Sequence, residues 1–166
     1  MNYTIEKMEK EHWESVAKIY KEGILTNKAT FQNAVPSWTE WDNSHLKEDR
    51  LVAIFNNEIL GWAALTKVSN RCVYSGVAEV SIYISEKYRG QGIGEKLLNQ
   101  LIIESEKNGF WTLQSGIIEE NLASINLHKK CGFRIIGTRE KVAKMSNGIW
   151  HNVILMERRS TTVGLE

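Results

Sequence analysis

Between Val77 and Lys107 the hydrophobic rhythm of the chain changes once, and a glycine-rich stretch marks the change. From Val77 to Ser85 the pattern has period two. Ala78, Val80, Ile82 and Ile84 fall on one face of an extended strand, and Val77, Glu79, Ser81 and Tyr83 on the other. The β-branched and aromatic content favours that conformation. From about Gln91 to Lys107, Ile93, Leu97, Leu98, Leu101 and Ile102 form the apolar stripe of an amphipathic helix, stopped by Asn108-Gly109.

The remaining elements follow from the same two periods. Tyr3 to Met8 alternates weakly and predicts a first strand. Glu11 to Glu22 predicts a helix with Trp13, Val16, Ala17 and Tyr20 on one face, and Gly23 as its end or a bend. Ser37 and Glu40 have the spacing of a capping box, so a short helix is expected from there to about Asp49. Arg50 to Phe55 and Glu58 to Thr66 predict a hairpin about Asn56-Asn57, followed by a loop from Lys67 to Gly76. Thr112 to Ile118 reads as a strand and Leu122 to Lys130 as a helix ended by Cys131-Gly132. Arg134 to Lys144 and Ile149 to Arg158 read as a hairpin about Asn147-Gly148. The order β, α, α, β, β, β, α, β, α, β, β mixes hairpins with crossovers, which implies an α/β fold with a mixed sheet. A single domain is expected over residues 1–159, with a polar tail at 160–166 that should fray.

Composition narrows the function little. With 166 residues, 42% hydrophobic and 25% charged, the chain can bury a substantial core. A net charge of +1 gives no reason to expect nucleic acid or a membrane surface as partner. Cys72 and Cys131 lack metal-ligand spacing, so no metal is expected, and both read as reduced thiols of a cytoplasmic protein. No segment has the length of a membrane span or the form of a signal peptide. Six tryptophans point to an aromatic pocket or interface, or simply to large core fillers.

Chemistry concentrates around the strand and the glycines. Glu79 is a single carboxylate among apolar neighbours, either a buried functional acid or a solvent-facing strand charge. Arg89-Gly90-Gln91-Gly92-Ile93-Gly94 sets three glycines at alternate positions before a helix. There, free N–H groups and the helix dipole can hold phosphate, although the same residues can make a plain turn. Glu95 follows Gly94, which excludes a Walker loop, and it also takes the place of the third glycine of a dinucleotide fingerprint.

Taken together, these residues resemble the GNAT superfamily of N-acetyltransferases, and more narrowly its phosphinothricin and methionine sulfoximine branch. The likeness rests on Arg89-x-x-Gly92-x-Gly94 after a strand and on Ala78 to Ile84. It also rests on Asn121-Leu122-Ala123-Ser124 through His128 to Gly132-Phe133, and on Gly148 to Asn152, so that it covers nearly the whole chain. The resemblance implies an acyl-CoA N-acyltransferase fold whose mixed sheet is centrally splayed, between Val77–Ser85 and Thr112–Ile118, and flanked by helices. It implies acetyl-CoA as cosubstrate. Its diphosphate would lie on Gly90, Gln91, Gly92, Ile93, Gly94 and Glu95 beside Arg89, and its pantetheine along Ile82, Tyr83 and Ile84, with Asn121 on the cofactor arm or serving only as a helix cap. The backbone N–H near Tyr83 would polarise the thioester. Glu79 would be the base. His128 would protonate the departing thiolate, unless it merely packs on the sheet. Arg71, Tyr74 and Trp150 would line a small acceptor pocket with Phe31. Arg71 is also readable as a solvated loop charge and Phe31 as a core anchor, and Cys72 departs from the residue usual after that arginine. A free amino acid as acceptor and a homodimer are the expectations. Acetylation of peptide amines, or acyl-CoA binding without catalysis, are the alternatives.

Overall fold

The structure, a computed structural model, describes residues 1–166. Seven strands form one mixed sheet: β1 (Thr4–Lys7), β2 (Leu51–Phe55), β3 (Glu58–Lys67), β4 (Val77–Ile84), β5 (Thr112–Ile118), β6 (Arg134–Lys144) and β7 (Trp150–Arg159), in the order β1-β2-β3-β4-β5-β7-β6. The helices are α1 (Trp13–Leu25), α2 (Trp38–Ser44), α3 (Ile93–Lys107) and α4 (Leu122–Lys130). Only β4 and β5 pair in parallel. Their register holds for three residue pairs, Val77–Thr112, Ala78–Leu113 and Glu79–Gln114, and then stops. Above Glu79 and Gln114 the two strands run on without pairing, so the expected splay begins one residue past the carboxylate.

Each face of the sheet carries its own core. On one side Val16, Ile19 and Tyr20 of α1 and Trp41 of α2 pack on Val52, Trp62 and Ala64. Four of the six tryptophans meet there as an aromatic cluster, Trp13, Trp38, Trp41 and Trp62. On the other side Leu97, Leu98, Leu101 and Ile102 of α3 join Ala78, Val80, Leu113 and Met156. Glu79, Ser81 and Tyr83 therefore face α1 and α2, and their alternating neighbours face α3.

Several element boundaries differ from expectation for local reasons. α1 continues through Gly23 to Leu25, because a glycine there lets the helix approach β4. A Cβ at Gly23 would lie 2.6 Å from the Tyr83 ring. α2 ends at Ser44 rather than near Asp49: His45 is extended (φ −110°, ψ 149°), and the buried Arg50 guanidinium takes the carbonyl oxygens of Asp42, His45 and Leu46. The capping box of Ser37 and Glu40 is present. α3 starts at Ile93, two residues later than its periodicity predicts, because Gly92 is left-handed at φ +78°. At the end of the chain Ser160 is buried and donates to Glu106 (2.8 Å), while Arg159 donates to the carbonyls of Trp111 and Val163.

Candidate active site

The parted strands open a cavity of about 800 Å³. One side of it is built from β4, the Arg89–Glu95 turn, the start of α3, β5 and α4. The other comes from α1, the segment following it, the end of α2, and Thr66 of β3.

The turn forms an anion cradle. Gly90 and Gly92 have φ +74° and +78°, and nothing lies within 4 Å of where a Cβ would stand on either. A side chain would be strained there and would fill the space that a ligand needs. The N-cap Gly92 offers no side-chain acceptor, so the first amides of α3 remain free, with the positive end of the helix dipole behind them. Arg89 stands beside them, its Nε donating to the Ile84 carbonyl at 3.3 Å. Gly94 has a different task. A Cβ on it would press on Leu127 at 3.1 Å, so this glycine lets α3 and α4 close together. Backbone donors, a guanidinium and an open approach suit a diphosphate.

The ladder fixes which backbone groups face the gap. Ser85 N–H donates to the Leu60 carbonyl at 2.8 Å, and the register with β3 is unbroken from there to Lys67. Hydrogen-bonded pairs alternate in an antiparallel ladder. Glu79, Ser81 and Tyr83 therefore spend their N–H and C=O groups on β3, while those of Ile82 and Ile84 point towards β5. The gap is served by Ile82 and Ile84; Tyr83 gives it a ring rather than an N–H. That ring stacks on Tyr20 (4.9 Å) and Trp62 (4.9 Å). Burial raises the Tyr83 and Tyr20 phenols, and the hydroxyl of Thr30 interacts with both.

Glu79 lies half-buried on the cavity wall. Burial raises its pKa, and the Gly116 N–H across the opening draws it partly back. A Cβ on Gly116 would stand 3.7 Å from Glu79 Oε1, so the carboxylate reaches over the bottom of the gap. His128 is 1% exposed, with its ring edge-on to Phe133. Its Nδ1 is 2.7 Å from the Ser124 carbonyl, four residues back on α4. A carbonyl only accepts, so Nδ1 carries the proton and Nε2 keeps a lone pair. That Nε2 is buried without a partner, and burial lowers the pKa of the ring. Asn121 lines the cavity and also caps α4, its Oδ1 accepting from Ser124 N–H at 3.3 Å.

Of the acceptor-side residues read from sequence, only Phe31 lines this cavity. Arg71 and Tyr74 occupy an exposed 3-10 turn, the guanidinium 5.6 Å from the phenol ring. They precede the lower end of β4. Trp150 opens β7, whose far end, Arg159, pairs beside Thr112 at that lower level. Nine residues of strand span about 30 Å. One chain thus does not gather Phe31, Arg71, Tyr74 and Trp150 around a small molecule. It gathers Tyr20, Lys28, Thr30, Phe31, His45 and Thr66 instead. Apart from Phe31 these carry no motif, and only their packing brings them together. No cluster of His, Cys, Asp and Glu could hold a metal ion, and no helix is long and apolar enough to cross a membrane.

Comparison with known proteins agrees with this geometry. The model of the Acetyltransferase (GNAT) family matches residues 9–133. The chain is 31% identical to a phosphinothricin N-acetyltransferase of Alcaligenes faecalis, over 87% of this chain and 76% of that protein. It is 25% identical to an L-methionine sulfoximine/L-methionine sulfone acetyltransferase of Salmonella typhimurium, over 93% and 92%. Among solved structures, a GNAT superfamily phosphinothricin acetyltransferase from Sinorhizobium meliloti in complex with AcCoA superposes with a TM-score of 0.88 at 26% identity, covering 100% of this chain and 92% of that one. A splayed β4–β5 pair, a glycine cradle at the start of α3 and a raised carboxylate at the base of the gap thus coincide with sequence and fold similarity, and the chain belongs to the acetyltransferase (GNAT) family.

Proposed function

We propose that this protein moves the acetyl group of acetyl-CoA to the α-amine of a small amino acid of the phosphinothricin or methionine sulfoximine type, acting in the cytoplasm as a homodimer. The observation that carries the proposal is the position of Glu79, in the last paired register of β4 and β5, where a strand-borne carboxylate of raised pKa overlooks the gap. Acetyl-CoA supplies an activated thioester. The chain's residues supply the rest. Gly90 to Glu95 and Arg89 hold the diphosphate, Asn121 contacts the cofactor arm, and the backbone groups of Ile82 and Ile84 pair with the pantetheine as an added strand would. The Ile82 or Ile84 N–H also offers the thioester carbonyl a donor as charge builds on its oxygen.

An α-ammonium is mostly protonated at neutral pH. Glu79 takes one proton from it, directly or through water, and releases it to solvent. The nitrogen loses a second proton when the new amide forms, and the departing sulfur needs one. His128 Nε2, with its free lone pair, receives a proton and passes it to the sulfur, so the ring acts first as acceptor and then as donor. Phe31 packs edge-on to His151 and closes the acceptor side.

The acceptor carboxylate needs a cation. Lys28 is the acceptor-side lysine of the cavity lining. Arg71, with Tyr74, reaches the site if a second copy of the chain lays its loop over the mouth, and Trp150 can be recruited in the same way. Support for a dimer comes from the edge of the sheet. Ile135, Ile136, Val142, Ile149 and Trp150 of the last hairpin are all exposed large apolar side chains.

The test is thiol release from acetyl-CoA with a panel of amines, together with light scattering at micromolar concentration. Methionine sulfone and phosphinothricin are expected to react far faster than peptide N-termini or lysine side chains, in a protein of dimer mass. Preference for peptides, or release with no amine at all, contradicts the proposed acceptor, and monomer mass contradicts the dimer.

A further inference from the structure

The acceptor side of the cavity carries a histidine with one nitrogen to spare. His45 follows the last residue of α2. Its Nδ1 lies 2.8 Å from the Trp41 carbonyl and 2.9 Å from Ser44 Oγ, and its ring stacks on the fully buried Trp41 at 4.1 Å. The bond to the carbonyl places the proton on Nδ1 and leaves Nε2 a lone pair. Nε2 has no hydrogen-bond partner in the protein, and it is not fully buried as the Nε2 atoms of His128 and His151 are. The backbone sets its distance from the chemistry. Leu46 N–H donates to the Leu65 carbonyl at 2.8 Å, so His45 sits beside Thr66, which pairs across the ladder with Glu79. His45, Thr66 and Glu79 line one cavity. Burial, and to a lesser degree the Arg50 charge, lowers the pKa of the ring against the opposing pull of the Trp41 carbonyl, so the neutral form, which does not repel a cation, is favoured.

We propose that His45 is an acceptor-binding residue whose Nε2 accepts a hydrogen bond from the ammonium or amine of the acetyl acceptor, turning that nitrogen so that Glu79 meets another of its N–H groups. This rests on the proposed transfer to an amine and adds to it a second point of hold on the nucleophile. A primary ammonium has three N–H groups, enough to serve Glu79 and His45 together.

Two variants separate the role from simple packing. In His45→Asn the amide N–H can replace Nδ1–H towards the Trp41 carbonyl, but nothing stands where Nε2 was. In His45→Gln a polar atom reaches that place. With L-methionine sulfone as acceptor, H45N should raise KM about 10-fold, the loss expected for one hydrogen bond, while kcat changes less and both acetyl-CoA affinity and Tm stay near wild type. H45Q should recover most of the loss. An unchanged KM in folded H45N, or an H45Q as poor as H45N, overturns the proposal. The imidazole 15N signal of His45 provides a readout that does not need turnover. It should move when methionine sulfone is added to the wild-type protein with CoA in place of acetyl-CoA, and a signal that stays fixed overturns the proposal. Failure of the wild type to acetylate any amine overturns the proposed function instead, and the 15N signal still decides on His45.

Discussion

The two halves of the cavity are made of different material. The cofactor half is largely backbone: amides at the start of α3, left-handed glycines at 90 and 92, and the gap-facing groups of Ile82 and Ile84. The acceptor half is side chains: Tyr20, Thr30, Phe31, His45 and Thr66 around Glu79. A backbone site offers the same donors whatever side chains surround it, so it suits an unvarying ligand. A side-chain site changes its preference with each substitution. One fold can therefore keep a donor substrate constant while acceptors differ.

That contrast can be broken from either side. The largest effect is expected at Glu79. Glu79→Gln keeps the shape and removes the base, so kcat should fall on the order of 10²-fold with acetyl-CoA affinity near normal, as stopped-flow and calorimetry would show. On the cofactor half, Gly92→Val should weaken acetyl-CoA by at least ~10-fold, about 1.4 kcal/mol, because a branched side chain is strained at φ +78° and occupies the cradle. Unchanged affinity in a folded variant means that the cradle does not hold the phosphates. The acceptor half is sharpened by a pair of variants. Lys28→Ala and Arg71→Ala are each measured for KM with methionine sulfone and with its carboxylate-free amine. The residue that reads the carboxylate raises KM several-fold for the amino acid alone, about 1 kcal/mol. An effect of Arg71→Ala that appears only at concentrations where the protein is dimeric assigns the role to a neighbouring copy.

Stability effects are smaller. Gly23→Ala puts a methyl against the stacked Tyr83 ring and should cost about 1–3 kcal/mol in denaturant unfolding, tilting the acceptor wall while sparing the cradle. Acidification should weaken the fold modestly. His45 and His128 have folded pKa values below the ordinary histidine value, so the unfolded chain binds more protons as pH falls through about 6.5. Their share of stability is present above that pH and is lost below it. Tm should decline from pH 7.5 to 5.5, and the decline should shrink in His128→Gln.

The same contrast explains what could be read from the chain. The cradle is contiguous, so Arg89 to Gly94 announced itself through glycine spacing before an amphipathic run. The strands β4 and β5, the capping box and both asparagine-centred hairpins are equally local, and the element order was readable in full. His45 was hidden because α2 stops early for tertiary reasons. Arg50 draws off three carbonyls from α2 and the residues just after it, and the helical period over 38–49 gives no sign of this. Tyr20 looked like one more apolar position on α1, and its phenol meets Tyr83 only through the close approach that Gly23 permits. The placement of Arg71, Tyr74 and Trp150 around one pocket assumed loop geometry that strand length forbids within one chain.

The pH dependence of kcat/KM tests the central claim most directly, measured with methionine sulfone at saturating acetyl-CoA for wild type and Glu79→Gln. Burial holds the Glu79 carboxyl above its ordinary value, and the base is competent only when ionised. The wild-type profile should therefore lose activity on the acid side through an inflection above about 4.5, the ordinary glutamate range. In Glu79→Gln that inflection should vanish, leaving a lower, flatter limb. A variant that keeps the wild-type rate and the same acid limb down to about pH 4.5 would show that the proton leaves by another route, and that the carboxylate at the base of the splay is not the base.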